Sequence, residues 1–158
     1  MDAKETQLLR DLFAGPRVLS LAVLVDGAPL VGLLPFAVKP DFSAAIVHAS
    51  QLARHAKGLV AGAPFGVLIH ASDASEADPR QVARVSLEGE VHALTEGTAA
   101  FDKAVDLYLQ RFPDSGPVFA LGDFGLYELR FAKGRLVGGV ARAYNLTVEN
   151  LKEAAARG

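Results

Sequence analysis

No cysteine occurs in the 158 residues. Disulfides, thiolate metal sites and cysteine nucleophiles are therefore excluded together, and the absence fits a reducing compartment. Excess charge of either sign is missing as well: 16 lysines and arginines face 18 acidic residues, a formal net charge of −2. No field draws the chain to nucleic acid or to an anionic membrane. No apolar run approaches the roughly 18 residues that span a bilayer. Residues Met1 to Arg10 are polar and carry both signs of charge, unlike a signal peptide. Cytoplasmic residence is the expectation, with neither nucleic acid nor membrane as a partner.

What is present is apolar. Hydrophobic residues make up 51% of the chain, enough for a real core, and the length suits one domain over residues 1–158. The mean hydropathy of +0.25 exceeds what a small monomer needs, which points to a subunit interface. Leu8, Leu9, Leu12 and Phe13 recur at helical spacing before Gly15-Pro16. Two apolar runs, Arg17 to Val25 and Leu30 to Val38, flank Asp26-Gly27 and predict a β-hairpin. Ala44 to Ala49 predicts a third strand, Ser50 to Gly62 a helix, and Pro64 to Ala71 a strand. Ser72 to Arg80 reads as an exposed loop. Gln81 to Leu94 alternates as a strand and slips around Gly89, where a bulge is expected. Phe101, Val105, Tyr108 and Phe112 predict a helix ended by Pro113. Phe124 to Phe131 and Arg135 to Val140 predict two strands joined at Lys133-Gly134. A last helix runs from about Thr147 to Ala155, capped by Asn145 or Thr147. Six or seven strands broken by single helices make a mainly β protein, a small barrel with flanking helices.

The segment His48 to Lys57 carries the most chemistry. It passes from a strand end through a hydroxyl-bearing turn into a predicted helix start rich in cations, an arrangement suited to an anion. Ser50, Arg54, His55 and Lys57 are the candidate donors. The bland alternative is a solvated helix face with Ser50 as its cap. His48, His55, His70 and His92 lack metal-ligand spacing, so no metal site is expected. Ser20, Ser50 and Ser86 lack a hydrolase setting. Gly138-Gly139 either relieves crowding or lets backbone approach a planar ligand.

Taken in order, Leu33-Leu34-Pro35-Phe36-Ala37, Ser50 to Leu59, Val85 to Val91, and Gly122-Asp123-Phe124 with Val137-Gly138-Gly139 and Arg142-Ala143 resemble the pyridoxamine-phosphate-oxidase-related FMN-binding proteins. The haem-utilisation branch is the one resembled most. The resemblance covers about Val18 to Leu146. It implies an FMN-binding split β-barrel, homodimeric, with FMN at the subunit interface. Ser50, Arg54 and His55 would fall at the phosphate-binding turn, with Lys57 beside them. Arg84 would lie where the family contacts flavin, and Arg142 would approach the cofactor from the C-terminal segment, of either subunit. Val140 stands where relatives often carry an aromatic residue. The extra C-terminal sequence of haem-handling relatives and the cationic end of the vitamin B6 oxidases have no counterpart. A flavin-dependent oxidoreductase acting on a small substrate is thus the first expectation, with no catalytic residue named. Haem binding on the same barrel and a non-catalytic dimeric binding module are the alternatives.

Overall fold

The computed structural model describes residues 1–73, 77–139 and 141–158. Its elements in chain order are α1 (Ala3–Ala14), β1 (Val18–Val25), β2 (Ala28–Val38), β3 (Ala44–Ser50), β4 (Pro64–His70), β5 (Arg84–Ala93), α2 (Ala99–Arg111), β6 (Phe124–Val137), β7 (Ala143–Thr147) and α3 (Val148–Ala156). Asp26 and Gly27 both take positive φ, the twist that a two-residue hairpin requires, and β1 pairs with β2 as expected from their alternation. The antiparallel order β3-β2-β1-β4-β5-β6 is closed into a barrel by a β3–β6 pairing, and β7 adds to the outer edge of β6.

Closure depends on a bulge. The register between β5 and β6 shifts at Glu88/Gly89: Phe131 faces Gly89 and Lys133 faces Glu88, so Ala132 is left over. A Cβ at residue 89 would lie 1.7 Å from the Arg130 carbonyl oxygen, so only glycine allows the approach. The extra residue bends β6. Before the bend β6 pairs with β3 through residues 124–130; after it, residues 133–137 pair with β7.

The barrel is filled by the inward residues of its strands, among them Leu21, Val47, Leu87 and Leu129, all essentially buried. Leu9, Leu12 and Phe13 of α1 join that core, with Leu151 of α3. Outside, α2 covers β3 and β6 through a second cluster of Ile46, Ala104, Tyr108, Phe112 and Leu126. Both faces of β3 are consequently buried. Arg111, at the end of α2, donates to the carbonyls of Phe13 (3.0 Å), Ala14 (3.2 Å) and Pro16. It satisfies the open C-terminal end of α1 with a cation, as the helix dipole favours.

Three expectations need correction. The segment after Ser50 is a short 3₁₀ turn, Arg54–Gly58, rather than a helix over Ser50 to Gly62. Gly58 is pressed onto β1, where a Cβ would come within 2.6 Å of Val23, so packing on the barrel overrides helical spacing. The two predicted strands after Phe124 are one continuous strand, because Gly134 lies against Ser86 and Leu87 in the ladder and makes no turn. The strand Ala143–Thr147 was not anticipated. Of the predicted exposed loop Ser72 to Arg80, Ala74, Ser75 and Glu76 lie outside the described residues, as does Val140. The final helix starts as expected, with Thr147 Oγ accepting from the Asn150 amide.

Gly89→Ala should therefore cost about 3 kcal/mol or more, read as a lowered urea midpoint. A loss under about 1 kcal/mol would show that the bulge can move.

Candidate functional site

Pairing along β6 places the candidate residues. Ser50, the last residue of β3, faces Phe124 at the start of β6. Arg84, the first of β5, faces Val137 at its end. The two therefore sit at opposite ends of the barrel.

At the Ser50 end the turn is tied down by its backbone. The Gln51 amide donates to the Asp123 carbonyl at 2.6 Å, and Ser50 Oγ accepts from the Leu52 amide at 3.2 Å. Three residues apart on a 3₁₀ turn, Arg54 and Lys57 share one side. Both line a cavity of about 350 Å³ against the β1–β2 hairpin, with Asp26 as its acidic residue. His55 points elsewhere. Its ring lies over Gly32 of β2, where a Cβ would fall 2.5 Å from Nδ1. His55 Nε2 is buried and, among the described residues, has no hydrogen-bond partner, a costly state for a polar nitrogen. Desolvation by burial holds the His55 pKa below the ordinary 6.5.

A second cation cluster occupies the other end. Arg84 and Arg142 line a cavity of about 510 Å³ together with Arg80, Arg135, Asp78 and the loop residues Gly139 and Ala141. Arg84 Nη1 donates to the carbonyls of Arg80 (3.1 Å) and Val82 (3.0 Å). Arg135 Nη1 donates to Asn145 Oδ1 at 2.7 Å. The carboxylate of Asp78 is taken by Arg80 through a 2.6 Å ion pair.

The structure thus joins Arg54 with Lys57, and Arg84 with Arg142, and separates the two pairs within one chain. Ser50 serves its own turn and His55 packs on the barrel wall. A flavin phosphate fits the first cluster in part. The cations are suited to an acidic oxygen, whereas His55 is turned onto Gly32 and the helix dipole expected there does not exist, because the turn is 3₁₀. Sequence reasoning missed Arg135, which the β5–β6 pairing brings near Arg84, and Arg80, which the 3₁₀ turn Pro79–Gln81 sets beside it. It also missed the burial of His48, whose ring stacks on Phe119 at 4.0 Å between centroids and whose pKa is likewise lowered by burial. Among the described residues no group of His, Asp or Glu could hold a metal ion, and no helix is long and apolar enough to cross a membrane.

No protein-family model matches the chain, and no curated protein does. Solved structures do match. A haem-binding protein from Mycobacterium smegmatis superposes with a TM-score of 0.82 at 24% identity, over 97% of this chain and 62% of its own. This chain therefore spans less than two thirds of that relative. A Clostridium acetobutylicum protein of the pyridoxinephosphate oxidase family, related to general stress protein 26, matches with a TM-score of 0.68 at 9% identity, over 96% and 99% of the two chains. An FAD-binding protein from Mesorhizobium loti matches with a TM-score of 0.63 at 15% identity, over 85% and 92%. The fold is a split β-barrel. Both sides of the resemblance read from the motifs, oxidase and haem-handling, are met among proteins of this split-barrel shape.

His48 and His55 give a pH signature. A histidine whose folded pKa is depressed takes up its proton on unfolding first, so folding stability falls as pH drops through about 6.5. Denaturant midpoints should be lower at pH 5.5 than at pH 7.5. His48→Phe, which keeps the stack on Phe119, should flatten that difference.

Proposed function

We propose that the chain is an FMN-binding flavoprotein working as a homodimer, a flavin-dependent oxidoreductase of the pyridoxamine-phosphate-oxidase-like class that acts on a small substrate. One observation carries the reading: two cation clusters at opposite ends of the barrel, with an uncharged apolar face between them. That face is the outer side of β2, β1 and β4. It presents Val31 and Leu33, 71% and 64% exposed, beside Val18, Leu24 and Leu68. Surplus apolar surface of this kind is usually covered.

A second copy is the occupant that uses both ends. An isologous contact repeats the same patch on both subunits. With its two-fold axis across the strands, each Arg54–Lys57 end meets the partner's Arg84–Arg142 end. One cofactor would then touch both clusters, which a single chain keeps apart. Arg54 and Lys57, with Ser50 in the turn beside them, would hold the phosphate, and Arg84 and Arg142 of the other subunit would contact the flavin. The flavin supplies two-electron transfer when bound; the protein groups bind it, orient it and shield it from water.

Haem on the same barrel is the second reading, and two observations favour it. One is the likeness to the Mycobacterium smegmatis haem-binding protein. The other is His70, an exposed residue whose Nδ1 lies 2.7 Å from the Ala71 carbonyl. A carbonyl oxygen only accepts, so Nδ1 donates in this contact, and Nε2 is the ring nitrogen that would meet a metal. The absorption spectrum of the purified protein separates the readings: two broad near-UV and blue bands for flavin, a sharp Soret band for haem that His70→Ala should displace.

Added FMN should be quenched on binding. Arg54→Ala with Lys57→Ala should weaken it at least about tenfold and leave a dimer. Val31→Asp with Leu33→Asp should give a monomer by sedimentation and lose FMN with it. A wild-type monomer at micromolar concentration would overturn the dimeric site.

A further inference from the structure

The arginine cavity holds more charge than a flavin ring calls for. Among the described residues, four guanidiniums line it against a single carboxylate, Asp78. Arg80 spends its fork on Asp78, with Nε and Nη2 both engaged. Arg84, Arg135 and Arg142 are left, three positive charges in one cavity of a protein whose formal net charge is −2. Arg142 also lies near the α1 start, where its charge lowers the pKa of Asp2 after the Glu5 backbone bond and against desolvation. No carboxylate hydrogen bond is made by Arg84, Arg135 or Arg142 among the described residues.

Two of these arginines are also held in place. Arg84 rests on two carbonyls through Nη1 alone, and Arg135 on Asn145 through Nη1. Each guanidinium has five N–H donors in a rigid fork, so most of each fork is unspent. A neutral Asn145 and neutral carbonyls fix the cations without cancelling them. An anion is the ligand that meets such unspent donors and their charge together. Solvent ions do this weakly, whereas a ligand with two adjacent acidic groups meets several forks at once. Arg84 and Arg135 stand on the paired ends of β5 and β6, which fix their spacing, while Arg80 and Arg142 line the cavity from outside the strands.

We propose that this cavity binds the paired acidic groups of a small dianion, and that this dianion is the substrate facing the cofactor. The second half rests on the flavin reading above; the first half does not. Arg84 and Arg142 would meet the flavin with part of each fork and the dianion with the rest, and Arg135 would serve the dianion alone. The shared chemistry is a pair of acidic groups a few bonds apart, carried by either a dicarboxylate or a phosphorylated compound.

The test is isothermal titration of the full chain with malonate and with pyrophosphate, and with neutral malonamide as the control. One anion should bind per protomer, more weakly as salt is raised. The arm that binds more tightly names the source of the charge. Arg135→Gln should weaken binding about tenfold or more, and Arg135→Lys should restore part of it. Arg135 is exposed, so these variants keep the fold. Lys103→Gln, an equal loss of charge on α2, should change nothing. The proposal is overturned if the anions bind no better than malonamide, or if Lys103→Gln costs as much as Arg135→Gln. It is overturned as a substrate site if saturating FMN displaces the anion, since the cavity then belongs to the cofactor phosphate. FMN quenching on the same preparation keeps the two readings separate. Anion binding without FMN binding sinks the flavin reading and spares the cavity; FMN binding without anion binding does the reverse.

Discussion

A six-stranded barrel closes only if some strand can leave one neighbour and take another, and β6 does this at its contact with Gly89. Its one edge follows β5 throughout, while its other edge serves β3 up to residue 130 and β7 from residue 133. The change of partner needs a bend, the bend needs the unpaired Ala132, and the bulge needs a residue without a side chain at position 89. Remove that permission and β6 can either close the barrel or carry β7, but not both. The arginine cavity stands on the second half of this strand, and the wall bearing His48 and Ile46 stands on the first. One backbone approach thus supports elements at both ends of the molecule.

Much of this architecture can be read from residue order. Asp26-Gly27 between alternating runs gives the first hairpin, and the slip of alternation at Gly89 marks the bulge. Capping chemistry at Thr147 marks the last helix. The failures share a cause. Lys133-Gly134 looks like a turn, but Gly134 is there to let β5 come close. Ser50 to Gly62 has helical spacing, but Gly58 is drawn onto Val23 and only a 3₁₀ turn remains. Glycine has at least two uses, conformational freedom and closeness to a neighbour, and a sequence does not say which one applies. The short strand Ala143–Thr147 has too few residues to display a period, and buries Leu146 alone.

The candidate site was legible as a set of residue types and illegible as an arrangement. Arg54 and Lys57 are close in sequence, so their shared cavity follows from local geometry. Arg84 and Arg142 are far apart in sequence, and only strand pairing joins them, at the end of the barrel away from Ser50. Arg80 and Arg135 drew no notice for the same reason: each is an ordinary surface arginine until β6 sets Arg135 opposite Ser86 and the loop folds Arg80 beside it. His55 carries the opposite lesson. Its place in the motif suggests a phosphate donor, yet its ring is drawn over Gly32 and leaves Nε2 buried without a partner.

Net charge and local charge act on different scales here. A formal balance near zero removes any long-range pull on polyanions such as nucleic acid or membrane, because the fields of scattered charges cancel beyond about 10 Å in salt. Within a cavity no wider than that distance the cancellation fails, and the nearest three or four groups decide what enters. The same composition that rules out a polyanionic surface is therefore compatible with a strongly cationic pocket. Placing the cations on strand ends, fixed by carbonyls and an amide instead of carboxylates, keeps their charge available. A carboxylate partner would have stabilised each arginine and filled the site at the same time. Arg80 with Asp78 shows that alternative in the same cavity, and among the described residues it is the one guanidinium there that a carboxylate takes.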